Sequence, residues 1–184
     1  MTKRWLFVPA LALSLVLAAS TSASATDLNR LDESGVMSLS LGIPAGGNPY
    51  APGALGVWYM VSSPINLGIN FGMRIDSRDE GEESVTATNF LIAPAVKYYI
   101  NINSRVAPYI LGQLNLGFAN EGGEDSETET TVSTILGLGI EWFPVAQMSI
   151  GGYTGLAINL VRPDPQGFGM NTLTSGLTAQ FYFR

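Results

Sequence analysis

Residues 67–76 read LGINFGMRID. Leu67, Ile69, Phe71, Met73 and Ile75 share one parity; Gly68, Asn70, Gly72, Arg74 and Asp76 share the other. Alternation at every second residue is the signature of a strand, because successive side chains point to opposite faces. The two charges both fall on the polar face. Seven further stretches read as strands, at 36–43, 54–62, 88–100, 106–118, 132–143, 148–161 and 172–183; of these 54–62 alternates poorly, and Leu55, Val57, Tyr59 and Val61 are placed outward. Within all eight the only charges are Arg74, Asp76, Lys97 and Glu141, and all four lie on the polar parity.

A soluble barrel or sandwich buries its apolar parity and clothes the other in Lys, Glu and Thr. Here the non-apolar parity is mainly Gly, Ala, Ser, Asn and Gln, too uncharged for a surface that meets water. The reverse arrangement fits, with oil outside and charge tolerated only inside. Strands cross lipid only as a closed barrel, since every backbone donor and acceptor must be paired there. The expected fold is therefore all-β, an eight-stranded antiparallel up-and-down transmembrane β-barrel.

The connections support this. Long segments at 44–53, 77–87, 119–131 and 162–171 alternate with short ones at 63–66, 101–105 and 144–147. Outer-membrane barrels have tight periplasmic turns and longer outer loops, so both termini are expected in the periplasm. A strand of ~10 residues rises ~33 Å, or ~24 Å across the membrane when tilted ~40–45°. Tyr98 and Trp142 lie outward just before short turns, and Phe181 and Phe183 lie outward at the C-terminus. These four are expected to form the inner membrane-interface girdle, with Phe90 and Phe118 at the outer interface.

The chain opens MTKRWLFVPALALSLVLAASTSASA. Lys3 and Arg4, the apolar run Trp5 to Ala19, and Ala23-Ser24-Ala25 predict a signal peptide over 1–25. An N-terminal membrane anchor is the alternative, and the small-residue tract after the apolar run argues against it. Residues 26–33 are then a periplasmic lead-in and 34–184 the outer-membrane barrel. Beyond that tract no apolar run reaches the ~20 residues a membrane helix needs.

The 184-residue chain has nine Lys and Arg against fifteen Asp and Glu, a net charge of −6. Without Lys3 and Arg4, seven face fifteen and the balance is −8. No basic patch exists for phosphates, so nucleic acid is excluded as a partner. The chain has neither Cys nor His. That removes disulfides, lipoprotein processing, thiolate chemistry, the commonest general base and the commonest zinc ligand. No nucleophile–base spacing stands out. No catalytic residue, metal or cofactor is assigned, and an enzyme is not expected.

The segments PAVKYYI (94–100), VAPYILGQLNLGF (106–118), LGLGIEW (136–142) and the ending QFYF (180–183) are together similar to the bacterial outer-membrane β-barrel domain family. Within it, the chain from Ser34 to Phe183 resembles the small eight-stranded barrels of the OmpA, OmpX and OmpW type. The resemblance implies residence in the cell outer membrane, contact with its lipid and lipopolysaccharide, and recognition of the aromatic C-terminal strand by the outer-membrane assembly machinery. Arg184, following Phe183, departs from the usual ending.

A barrel of eight strands is narrow enough to be filled by side chains. Buried charges inside it must pair. Arg74, Lys97 and Glu141 are expected to form an interior cluster, Glu141 pairing with Lys97 or Arg74. The alternative is a gate in a narrow conduction path. Asp79, Glu80, Glu82 and Glu83, then Glu121, Glu124, Asp125, Glu127 and Glu129, make two acidic loops. They are expected to be solvated surface; collecting divalent cations that bridge lipopolysaccharide phosphates is the alternative. Tyr50, Trp58 and Tyr153 are either ordinary packing or the lining of a ligand pocket. The functional expectation is a monomeric structural or surface-interaction barrel with a packed interior and no wide pore. A narrow channel or carrier for ions or small molecules, apolar ones included, is the runner-up, and an adhesin is third.

Overall fold

The computed structural model describes residues 34–45, 54–80, 83–102, 104–120, 122, 126–161 and 169–183. The segments assigned above to signal peptide (1–25) and lead-in (26–33) lie outside the described residues, as do Tyr50 and Arg184. Eight strands follow in chain order: β1 (Met37–Ala45), β2 (Ala54–Ser62), β3 (Ile65–Glu80), β4 (Glu83–Tyr99), β5 (Val106–Asn120), β6 (Thr128–Val145), β7 (Met148–Val161) and β8 (Gly169–Phe183). Each pairs antiparallel with the next. β8 returns to β1 in the register Met37↔Phe183 through Ala45↔Ser175, which closes the barrel.

The packing is inverted relative to a soluble protein. Ile43, Met73 and Leu138 are 68%, 65% and 64% exposed on the outside, whereas Glu141 and Gln180 are 0% exposed on the inside. Such a surface is stable only against lipid. Wherever side chains are described, the parity expected from sequence holds, including in β2, where Leu55, Val57, Tyr59 and Val61 face out and Trp58 and Met60 are buried.

Strand length is where the structure departs from the sequence reading. The segment 77–87 was expected to be an acidic loop. Instead β3 and β4 continue their ladder up to Glu80↔Glu83. Likewise β5 and β6 pair to Asn120↔Thr128, inside the segment 119–131. The reason is physical. Hydrophobic alternation records the part of a strand with oil on one side. A ladder that continues into water keeps its hydrogen bonds and loses the alternation, so Thr86, Thr88, Thr128 and Thr130 stand exposed where apolar residues would stand lower down.

The apolar belt is bounded on both sides. Tyr59, Tyr98, Trp142 and Phe183 point outward close to the short-turn end. Phe90 and Phe118 are direct cross-strand partners near the other edge. From Tyr98 to Thr88 the chain advances ten positions, ~33 Å along the strand and ~24 Å across a membrane at the usual tilt.

Candidate functional site

The barrel interior divides into two halves. Toward the short turns it is solid. Val36, Met60, Ala107, Tyr109, Phe143 and Tyr182 are buried in one cluster with Trp58, Tyr99 and Leu111. Tyr99 and Tyr109 meet edge to face with centroids 5.7 Å apart, and Phe143 lies 5.5 Å from Tyr182.

A polar network runs through this packing. Lys97 on β4 forms a buried ion pair with Glu141 on β6, the two side chains 3% and 0% exposed. Lys97 Nζ also donates to Gln180 Oε1 at 2.8 Å. Gln180 Nε2 in turn donates to Ser38 Oγ at 2.6 Å. The second oxygen of Glu141 accepts hydroxyl protons from Tyr182 at 2.8 Å, Tyr99 at 3.1 Å and Ser149 at 3.1 Å. The ammonium also sits 4.5 Å from the Trp58 ring centre and 5.0 Å from that of Tyr109. Removing two ions from water costs several kcal/mol each, and the cost is offset only when every remaining polar group is paired. Here both ions have that company, drawn from β1, β4, β6, β7 and β8, so the network ties distant strands together across the lumen.

Arg74 does not belong to this cluster, which corrects the sequence reading. Its cross-strand partner is Asn89, whereas that of Lys97 is Asn66. The eight positions between Asn66 and Arg74 separate the two levels by ~26 Å along β3. Arg74 instead grips Asp76 with two bonds, Nε to Oδ2 at 2.6 Å and Nη2 to Oδ1 at 3.0 Å. Parity alone could not separate the charges, because parity gives the face and not the height.

Toward the long-loop end the interior is hollow. A cavity of about 370 Å³ is floored by Lys97, Trp58, Tyr109 and Leu111 and walled by amides and hydroxyls together with the apolar side chains of Leu91, Ala119 and Ile135. Asn70 Nδ2 donates to Gln113 Oε1 at 3.4 Å, Gln113 Nε2 to Asn115 Oδ1 at 2.6 Å, and Asn115 Nδ2 to Ser133 Oγ at 3.1 Å. Ala93 and Ala95 on the intervening β4 are opposite Asn70 and Gln113 respectively. Their small side chains let the two amides meet over that strand.

Three inward aromatic rings lie against the wall because each has a glycine directly across the ladder: Trp58↔Gly68, Tyr109↔Gly139 and Tyr153↔Gly176. A Cβ at those glycines would stand 2.2, 2.2 and 2.6 Å from the respective rings. Trp58 is held further by its indole N–H donating to Ser40 Oγ at 2.9 Å. Thus Trp58 and Tyr153, singled out in the sequence, both line the cavity.

Of the four interface aromatics named from sequence, Tyr98, Trp142 and Phe183 are 49%, 51% and 40% exposed and Phe181 is half-buried on the same outer face. Of the acidic side chains expected in the loops, Glu127 and Glu129 are described and are exposed. Among the described residues no three Asp or Glu side chains gather as a metal site. Gln180, Tyr99, Tyr182 and Ser149 were not marked as site residues. Their signal was distance from a chain turn: all lie within a few residues of a short turn or of the C-terminus, at the level of Lys97 and Glu141.

No family model and no curated protein matches the sequence. Solved structures do match. The chain is similar to the attachment invasion locus protein Ail of Yersinia pestis, solved in complex with the heparin analogue sucrose octasulfate, at 17% identity and a TM-score of 0.51, over 82% of this chain and 97% of that one. It is also similar to the N-terminal β-barrel domain of Pseudomonas aeruginosa OprF, at 12% identity and TM-score 0.47 over 82% and 97% of the two chains. Neisserial surface protein A is similar at 12% identity and TM-score 0.49, over 80% and 95%. At such identities the likeness to Ail is one of fold. With the closed register and the inverted packing, it places the chain's fold among the small eight-stranded barrels of the outer membrane.

Proposed function

We propose that this outer-membrane barrel is sealed to solutes and serves a structural or surface-interaction role through its long-loop end. The observation that carries the reading is the plug. Between the cavity and the short turns, the lumen is filled by Lys97, Glu141, Gln180, Tyr99, Tyr182 and Phe143, all buried. A continuous water path would require breaking an ion pair that partners on β1, β4, β6, β7 and β8 help to hold. Purified protein in a planar bilayer is expected to give no stable unitary current. Ion-sized steps that change size in Glu141→Gln would replace this reading with the narrow channel.

The remaining parts of the proposal follow from chemistry. Residues 1–25 are removed as a signal peptide, leaving Thr26 as the first residue, which mass determination of the purified protein checks. The apolar belt contacts lipid and lipopolysaccharide. The last strand, with Phe181 and Phe183 outward, is what the assembly machinery engages. The protein acts as a monomer and is not an enzyme. The sulfated sugar bound by Ail is a poor guide to the partner of this chain. Its net charge is −6, and Lys97, the one charged residue among the described residues lining its cavity, is already paired with Glu141.

A further inference from the structure

We propose that the hollow half of the barrel is a binding cup for a neutral sugar unit. The inference rests on the reading of a sealed barrel, since a cup needs a floor. Ligand sites typically enclose about 300–1,000 Å³, and the cavity of about 370 Å³ sits at the small end, suited to about one or two sugar rings.

The lining selects the chemistry. Among the described residues lining the cavity, Lys97 is the single charged one, and its charge is met by Glu141. An ionic ligand would therefore lose its hydration without gaining a counter-charge. An apolar ligand would strip water from Asn70, Gln113, Asn115 and Ser133 and leave their spare donors and acceptors unpaired. Each side-chain amide has two N–H donors and a carbonyl with two lone pairs. The chain Asn70–Gln113–Asn115–Ser133 spends only part of that capacity on itself. It fixes the amides in place while leaving both donors and acceptors for a ligand that carries hydroxyls.

The aromatic groups complete the fit. Trp58 and Tyr109 are occupied by Lys97 and buried in the floor. Tyr153 is not: it is half-exposed, lines the cavity, and its ring reaches over Gly176. A sugar ring has a C–H face and a hydroxyl rim, and this wall offers an aromatic ring together with amides. The cup would accept either a free saccharide or the terminal sugar of a lipid-linked glycan.

The test is a calorimetric titration of the protein purified from membranes, in a phosphocholine detergent that carries no sugar. The probes are glucose, galactose, N-acetylglucosamine, maltose, lactose, and a lipopolysaccharide with its core sugars. Saturable one-to-one binding of at least one probe is expected. Gln113→Leu and Tyr153→Ala should each weaken it about tenfold, the worth of one buried polar or stacking contact. Ser77→Ala, above the belt and outside the cup, should leave it unchanged. Unheated electrophoretic mobility shows that each variant is folded.

Binding of free sugars assigns the cup to a soluble ligand. Binding of the lipopolysaccharide alone assigns it to a glycan end. No saturable binding of any probe, or binding untouched by both cup variants, overturns the proposal. Current through a barrel that still binds sugar would break the sealed reading and leave the cup standing. A silent barrel that binds none would do the reverse.

Discussion

The two halves of this lumen are made by the same eight strands and obey opposite rules. In the inner half, the polar groups are buried at 0–4% exposure, and Ser38, Ser40, Lys97, Glu141, Ser149 and Gln180 have partners there, whereas the Asn66 side chain makes no hydrogen bond. In the outer half, Asn70, Gln113, Asn115 and Ser133 are half-exposed and hold one another in a single file. The inner half has large rings to fill its space. The outer half has Gly117 and Ala119 at inward positions and is left hollow. Stability and occupancy have been separated along one axis. The half that closes the barrel is rigid, and the half that meets the outside has unspent hydrogen-bonding capacity.

Five single substitutions and one double variant sharpen that contrast. Glu141→Gln should have the largest effect. It leaves Lys97 charged in a dry interior, which costs ~3–5 kcal/mol when a buried pair is broken from one side. Urea unfolding in lipid vesicles measures it. The double variant Lys97→Met with Glu141→Gln should recover much of the loss, because no orphaned charge remains. A fully additive double variant would mean that the pair is not coupled.

Leu138→Arg comes next. Leu138 lies outward near the middle of the belt and should cost ~2–4 kcal/mol in the same measurement. Thr130→Arg, on the same face but above the belt, should cost ~0–1 kcal/mol. Equal costs at the two positions would move the membrane boundary. Gly155→Ala should cost ~1–3 kcal/mol as overpacking, since its Cβ would stand 2.3 Å from the carbonyl oxygen of Leu136, a backbone atom that cannot swing aside. The smallest effect belongs to the hollow half. Asn115→Ala should lose only ~1 kcal/mol, because the amides it leaves behind can turn to water.

The sequence was most readable where lipid dictates it. Leu67, Ile69, Phe71 and Met73 declare their side because oil on one face of a strand leaves no choice. Past Ile75 the pattern falls silent, and Ser77, Arg78 and Asp79 read as loop although they belong to a ladder. With water on both faces, residue type no longer reports backbone pairing. The charge cluster was half readable for a related reason. Lys97 and Glu141 converge because each stands a few residues before a short turn. Arg74 shares their parity and stands far up the barrel. The glycine partners of Trp58, Tyr109 and Tyr153 needed the register itself, since a pairing such as Trp58↔Gly68 depends on where the turn between them bends.

The division of the lumen can be tested directly because the chain has no Cys of its own. Single Cys residues would replace Ser133 in the hollow half and Ser149 in the plug, each a near-isosteric change. A membrane-impermeant maleimide is then applied to intact cells and to opened ones. The account predicts that Ser133→Cys is labelled from outside the cell and Ser149→Cys from neither side. Labelling of Ser149→Cys in the folded barrel, or protection of Ser133→Cys from the outer face, would contradict it.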